Sequence, residues 1–135
     1  MTKQTLNSRD AIEHLVRTFY QQVRQDELIG PIFNKHIKDW EAHLQKLTDF
    51  WETNLLFVRR YKGNPLGAHI AVDKSYNYQI QQVHFGRWLQ LWFQTIDTYF
   101  EGENAQIAKN RARNMSTHMF MKIYTHRSKA LGNHI

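Results

Sequence analysis

The sequence predicts an all-α protein built on four long helices. Three observations carry that prediction. Apolar residues recur at helical spacing over four extended stretches, and no strand-like alternation runs beyond four or five residues. Internal repeats and low-complexity tracts are absent as well. The links between the stretches are unequal, one tight and one long, which argues against a plain up-and-down bundle.

The first helix is capped by Asn7 or Ser8, with Asp10 in its first turn where the helix dipole favours an anion. Its apolar positions Ile12, Leu15, Val16, Phe19, Tyr20 and Val23 form one face. It should end near Asp26, because Gly30-Pro31 follows, and Pro31-Ile32-Phe33 then opens a short turn of helix that delivers Phe33 inward. A second long helix begins after Asp39, a good N-cap, with Glu41 in its first turn. Its core face reads Trp40, Leu44, Leu47, Trp51, Leu55 and Val58. His43, Leu47 and Phe50 lie on an adjoining strip, so His43 sits at the edge of the buried face.

The connector Tyr61–Ile70 holds Gly63, Asn64, Pro65 and Gly67. Such a cluster turns sharply and can set down one short helical piece, Leu66 to Ile70, with His69 near its end. Ala71 to Asn77 reads as a loop. A third helix, Tyr78 to Phe100, carries Ile80, His84, Trp88, Leu91, Trp92, Thr95 and Tyr99 on one side. Phe85, Leu89, Ile96 and Phe100 broaden that face, which predicts burial on two sides. Gly102 is a natural residue for a helix exit, and a fourth helix from Glu103 to Leu131 shows Ile107, Ala108, Ala112, Met115, Met119 and Ile123.

A length of 135 residues suits one domain, 1–135, and 13% aromatic content supplies large apolar units for its core. The chain has no cysteine, which excludes disulfides, thiolate ligands, thiol nucleophiles and covalent c-type haem attachment. The opening residues lack an apolar run, and the longest such run, Leu55 to Val58, is far too short for a bilayer. No secretory leader or membrane insertion is therefore expected, and a cytoplasmic location is. The net charge of +6 is spread without a block of five like charges, so a solvated basic surface is expected and not a nucleic-acid groove.

Gly-rich phosphate loops, a Gly-x-Ser-x-Gly elbow and paired-carboxylate signatures are absent, which leaves hydrolase and nucleotide chemistry without support. Eight histidines invite a metal reading, yet no inward His-x-x-x-His or Glu-x-x-His pair occurs. What remains is a set of apolar helices with a few polar tips, Tyr20, His43 and Trp88, and His69 arriving separately. Imidazole is a common axial haem ligand, and Tyr and Trp are rings with one hydrogen-bond donor each. Ordinary core aromatics and a capped histidine account for the same pattern. Two other readings also stay open on the residues alone: a non-haem helical binding module with a basic surface, and a bundle metalloprotein using His14, His43 or His84.

The ordered set Phe19-Tyr20, Val23-Arg24, Asp26, Gly30-Pro31-Ile32-Phe33, Trp40-x-x-His43, Phe50-Trp51, Tyr61-x-Gly63-x-Pro65-Leu66-x-x-His69, Trp88-Leu89 and Arg111-Ala112 spans almost the whole chain. It resembles group III of the truncated haemoglobins. The resemblance implies a two-over-two globin fold around a b-type haem, with His69 as the proximal iron ligand. It places Tyr20, His43 and Trp88 on the distal side, Phe33 on the haem plane, Leu47, Phe50 and Trp51 on the apolar wall, and Lys46 near a propionate. It implies reversible binding of O2, CO or NO opposite His69, with gas binding, oxygen transport, NO detoxification or peroxide chemistry as the possible tasks and a reductase as a partner for the redox ones. The loop Ala71 to Asn77 departs from the family pattern in lacking prolines, and His84, His118 and His126 match no ligand position.

Overall fold

The structure, a computed structural model, describes residues 2–58 and 81–130, with side chains through 125. In chain order these form β1 (Gln4–Thr5), α1 (Arg9–Gln25), α2 (Gly30–His36), α3 (Trp40–Leu56), α4 (Gln82–Tyr99), β2 (Phe100–Glu101) and α5 (Glu103–Ala130).

Local chemistry sets each boundary at the amino-terminal end. The Ser8 hydroxyl accepts from the Ala11 amide at 3.2 Å and starts α1, while Asn7 instead accepts from the Asn104 side chain at 3.1 Å. The Asp26 carboxylate, just past the end of α1, accepts from the Leu28 and Ile29 amides, each at 3.1 Å. That turns the chain directly into α2, whose second residue is Pro31. A Cβ on Gly30 would stand 2.9 Å from the Arg24 carbonyl oxygen, so only glycine lets α2 start this close to the end of α1. Asp39 caps α3 through the Ala42 amide at 3.1 Å. The predicted end at Asp26, the cap at Asp39 and the fourth helix all stand, within the described residues.

α1 is the central element, packed against α2, α3 and α4, with α5 laid on α4 and touching α3. Its apolar face, Ile12, Leu15, Val16, Phe19, Tyr20 and Val23, is buried as its spacing predicts. Trp51 of α3 stacks on Trp92 of α4, with ring centroids 4.7 Å apart, and Trp92 stacks on Trp88 at 5.8 Å. Phe19 meets Tyr20, Trp88 and Trp92 edge-on. Arg9 clamps α1 to α3 by bridging Asp49 at 2.7 Å and Glu52 at 3.0 Å.

The structure corrects several expectations. The buried strip of α3 is Thr48, Trp51, Glu52 and Leu55; Trp40, Leu44 and Leu47 are only half-buried, and Val58 is exposed beyond the helix end. The difference has a polar cause. Glu52 turns inward because Arg9 neutralises it there, and Thr48 does so because its hydroxyl bonds back to the Leu44 carbonyl at 2.8 Å. Tyr99 is exposed where burial was expected. α4 begins at Gln82, and Tyr78, Ile80 and the Tyr61–Asn77 readings lie outside the described residues.

A two-stranded parallel pair was not anticipated. Gln4 pairs with Phe100 and Thr5 with Glu101, which ties the start of the chain to the α4–α5 joint. A two-residue strand carries too little alternation to be read from sequence. Leu6 follows it into the core, and Gly102, at φ +98, makes the left-handed turn into α5.

Candidate functional site

The site is centred on Tyr20, on the last-but-one turn of α1. Its side chain is buried, and burial pushes its hydroxyl up to about 12, with the Trp88 indole pulling slightly the other way. The hydroxyl is therefore neutral, and a donor, at any physiological pH. Trp88 Nε1 donates to the Tyr20 oxygen at 3.4 Å. Among the described residues no acceptor takes the Tyr20 proton. A buried donor left unmade costs about 1–3 kcal/mol, so the position is expensive unless something in the site accepts from it.

Other rings pack around the Tyr20 ring. Phe33 lies 5.8 Å from the Tyr20 ring, Trp40 6.1 Å and His43 5.9 Å, the last almost perpendicular. Trp40 and His43 are themselves 5.8 Å apart and perpendicular. Of the predicted site residues, the structure thus brings Tyr20, Phe33, His43 and Trp88 together.

The others take different places. Leu47 and Phe50 are half-buried on the α3 strip that begins at His43. Trp51 is buried in the core against Trp92. Lys46 is exposed on α3. His69 lies outside the described residues. Half-buried Phe33, Trp40, Leu44, Leu47, Phe50, Trp88 and Leu89 pack against the core cluster without being enclosed by it. An apolar strip that the described residues cover only in part, beside a hydroxyl for which they offer no acceptor, suits a large apolar group carrying a small polar ligand.

Two residues of the site escaped the sequence reading in this role. Trp40 was read as core, yet it stands beside His43 and Tyr20 under the Arg24 guanidinium, 4.5 Å from its ring. Its spacing of three from His43 was the available signal. Arg87 of α4 holds the Asp26 carboxylate at 2.7 Å and so fastens α4 to the α1–α2 corner. Burial pushes the Asp26 carboxyl up, but the Ile29 amide, Arg87 and the Leu28 amide outweigh it and hold it below the usual range.

The rival readings lose ground. His14 bonds Gln4 and faces Tyr99 and Phe100, while His84 accepts from the Gln81 amide at the start of α4. Among the described residues no three His, Cys, Asp or Glu side chains gather to hold a metal ion. Arg9, Arg17, Arg87 and Lys109, four of the 18 lysines and arginines, are each paired with a carboxylate and so are less free to meet a polyanion. None of the helices among the described residues is long and apolar enough to cross a membrane.

Comparison with known proteins gives a consistent picture. The chain is 30% identical over 128 residues to the group 3 truncated hemoglobin ctb of Campylobacter jejuni, covering 92% of this chain and 96% of that protein. The crystal structure of group III truncated hemoglobin from Campylobacter jejuni matches the fold with a TM-score of 0.81 at 29% identity, covering 93% of this chain and 98% of the other. No family model matches the chain.

Proposed function

The chain belongs to the group III truncated haemoglobins, and from that premise we propose that it binds haem b and, on it, O2 and related diatomic gases. The observation that carries the reading is the Tyr20 hydroxyl, buried, neutral and without an acceptor among the described residues, beside an apolar strip that those residues leave half-covered. The absence of cysteine makes non-covalent haem the form that suits this chain. His69 would hold the iron, and Leu47, Phe50 and Phe33 would pack on the ring. Lys46, exposed on α3, suits a propionate.

When bound, haem supplies an iron with one coordination position free for a gas. The chain does the rest. Tyr20 donates its proton to an acceptor in the pocket, while Trp88 donates to Tyr20 and fixes which way that proton points. His43, edge-on to the Tyr20 ring, offers a further polar edge beside it. Each neutral hydrogen bond is worth about 1 kcal/mol net, and more in a dry pocket. Two or three of them slow gas release by roughly one to three orders of magnitude, at about 1.4 kcal/mol per tenfold. Slow release suits chemistry on the held gas, NO oxidation or peroxide reduction, better than transport.

Titration with haem should give a stoichiometric Soret band with an axial-imidazole signature. His69→Ala should lose that signature, and an unchanged spectrum would remove His69 from the iron. Tyr20→Phe should release O2 at least about tenfold faster. An unchanged dissociation rate would mean that the hydroxyl does not reach the gas.

A further inference from the structure

The rings of Tyr20, Trp40 and His43 form a closed triangle, with centroid separations of 6.1, 5.8 and 5.9 Å. Two of its three contacts are within 2° of perpendicular, the edge-to-face arrangement that aromatic quadrupoles favour. In such a triangle no ring turns without disturbing the other two. Tyr20 is buried and fixed by the core. Trp40 and His43 are half-buried and lie at the edge of the site, one turn apart on the first turns of α3.

Trp40 is in turn held from outside. The Arg24 guanidinium lies over its ring at 4.5 Å, on the last turn of α1, where a cation also suits the helix dipole. The Arg24 backbone is fixed independently, because its carbonyl accepts from Asn34 at 3.0 Å and sits against Gly30. The chain of contacts therefore runs from the α1–α2 corner through Arg24 to Trp40, and from Trp40 to His43.

We infer that Arg24 and Trp40 are positioning residues that hold His43 over the pocket and so set how readily a diatomic ligand gets in. This rests on the gas-binding reading of the site. Swinging His43 outward breaks its contacts with both Tyr20 and Trp40, and Trp40 cannot follow it without leaving Arg24. Removing Trp40 takes away one of the ring contacts of His43 and opens space beside it, so His43 spends more of its time displaced. Removing Arg24 loosens Trp40 and has the same effect at smaller scale. Neither residue touches the gas.

The test is CO recombination after flash photolysis of the ferrous holoprotein, in wild type, Trp40→Ala, Trp40→Phe, Arg24→Gln, His43→Ala and the doubles Trp40→Ala/His43→Ala and Arg24→Gln/His43→Ala. Trp40→Ala should speed bimolecular association about threefold to tenfold, the range set by one lost ring contact. Arg24→Gln should speed it about twofold, and Trp40→Phe should keep the wild-type rate within about twofold, because a ring still faces His43. In the His43→Ala background both effects should vanish, since a residue acting through His43 has nothing left to act on. The His43 ring-proton resonances of the CO complex, displaced in part by the current of the Trp40 ring, should shift in Trp40→Ala and stay near their wild-type positions in Trp40→Phe.

An unchanged or slower rate in Trp40→Ala, or effects that add to that of His43→Ala, would overturn the inference and make Trp40 a packing residue only. If Trp40→Ala does not fold, the Arg24→Gln and His43→Ala pair decides by the same rule. Failure of wild type to form a photolysable CO complex would sink the gas-binding reading itself, an outcome separate from either.

Discussion

Two tryptophans four residues apart on α4 divide the molecule into its two working parts. Trp92 is fully buried, sandwiched between Trp51 and Trp88, and its indole donates to the Ala108 carbonyl at 3.2 Å. Trp88, one turn earlier and stacked on it, is half-buried and donates across a longer 3.4 Å to a tyrosine hydroxyl. The same side chain, on the same face of the same helix, is a satisfied core element in one place and half of an unfinished polar pair in the other. Helical spacing brings both rings to one stack, and what differs is the partner that the opposite wall supplies. α5 offers Trp92 a backbone carbonyl; α1 offers Trp88 a hydroxyl whose own proton no described residue accepts.

The strongest way to break this contrast is to truncate the sealed member. Trp92→Ala empties a site enclosed by Trp51, Phe19 and Trp88, and should lose about 3–5 kcal/mol of stability. The shift of the urea midpoint at unchanged slope measures it. A loss below about 1 kcal/mol would mean that the core collapses around the gap and that the stack is not what joins α3 to α4.

The unfinished side has its own signature, in alkali. The Tyr20 hydroxyl ionises at about 12 in the folded protein against 10.0 for an ordinary tyrosine, because burial penalises the phenolate. A raised folded value means that its contribution is fully present below pH 10 and is lost as pH rises towards 12, since the unfolded chain then ionises first. Relative to Tyr20→Phe, the wild type should thus lose roughly 2–3 kcal/mol across that interval, at about 1.36 kcal/mol per unit. Denaturant curves for both proteins between pH 9 and 11.5 give the difference directly. A flat difference would show that the hydroxyl reaches water.

These two regions were not equally legible in the sequence. The face of α1 was plain, because Ile12, Leu15, Val16, Phe19, Tyr20 and Val23 repeat at helical spacing and the structure buries every one. Caps were legible where a short polar side chain does the work, as at Ser8 and Asp39. The inner strip of α3 was not, since hydropathy counts Thr48 and Glu52 as outward-facing, and a partner some forty residues away, Arg9, helps to hold Glu52 inward. Tyr20, His43 and Trp88 were named as candidate site residues through the resemblance to a family; periodicity alone left them readable as core. The place of Trp40 beside Tyr20 and His43 was missed because a ring face carries no polar flag. Which of several aromatics on a helix faces a pocket depends on how α1 and α3 cross, and one-dimensional spacing does not encode that.

The contrast is sharpest where the perturbation is smallest. Trp88→Phe and Trp92→Phe make the same chemical change one helical turn apart, each deleting one N–H and part of a ring. In the core the deletion removes the bond to Ala108 and leaves a small void, so Trp92→Phe should lose about 1–2 kcal/mol of stability while O2 dissociation stays at the wild-type rate. In the pocket Trp88 is already half-exposed, and its long bond to Tyr20 contributes little to folding. Trp88→Phe should therefore stay within about 1 kcal/mol of wild type in stability, yet speed O2 dissociation roughly threefold to tenfold, because Tyr20 loses the donor that orients its proton. Stopped-flow displacement of O2 by CO, set beside denaturation of the same two variants, reads both quantities. If Trp88→Phe moves stability and leaves the dissociation rate alone, Trp88 belongs to the core as Trp92 does, and the pocket wall must lie elsewhere.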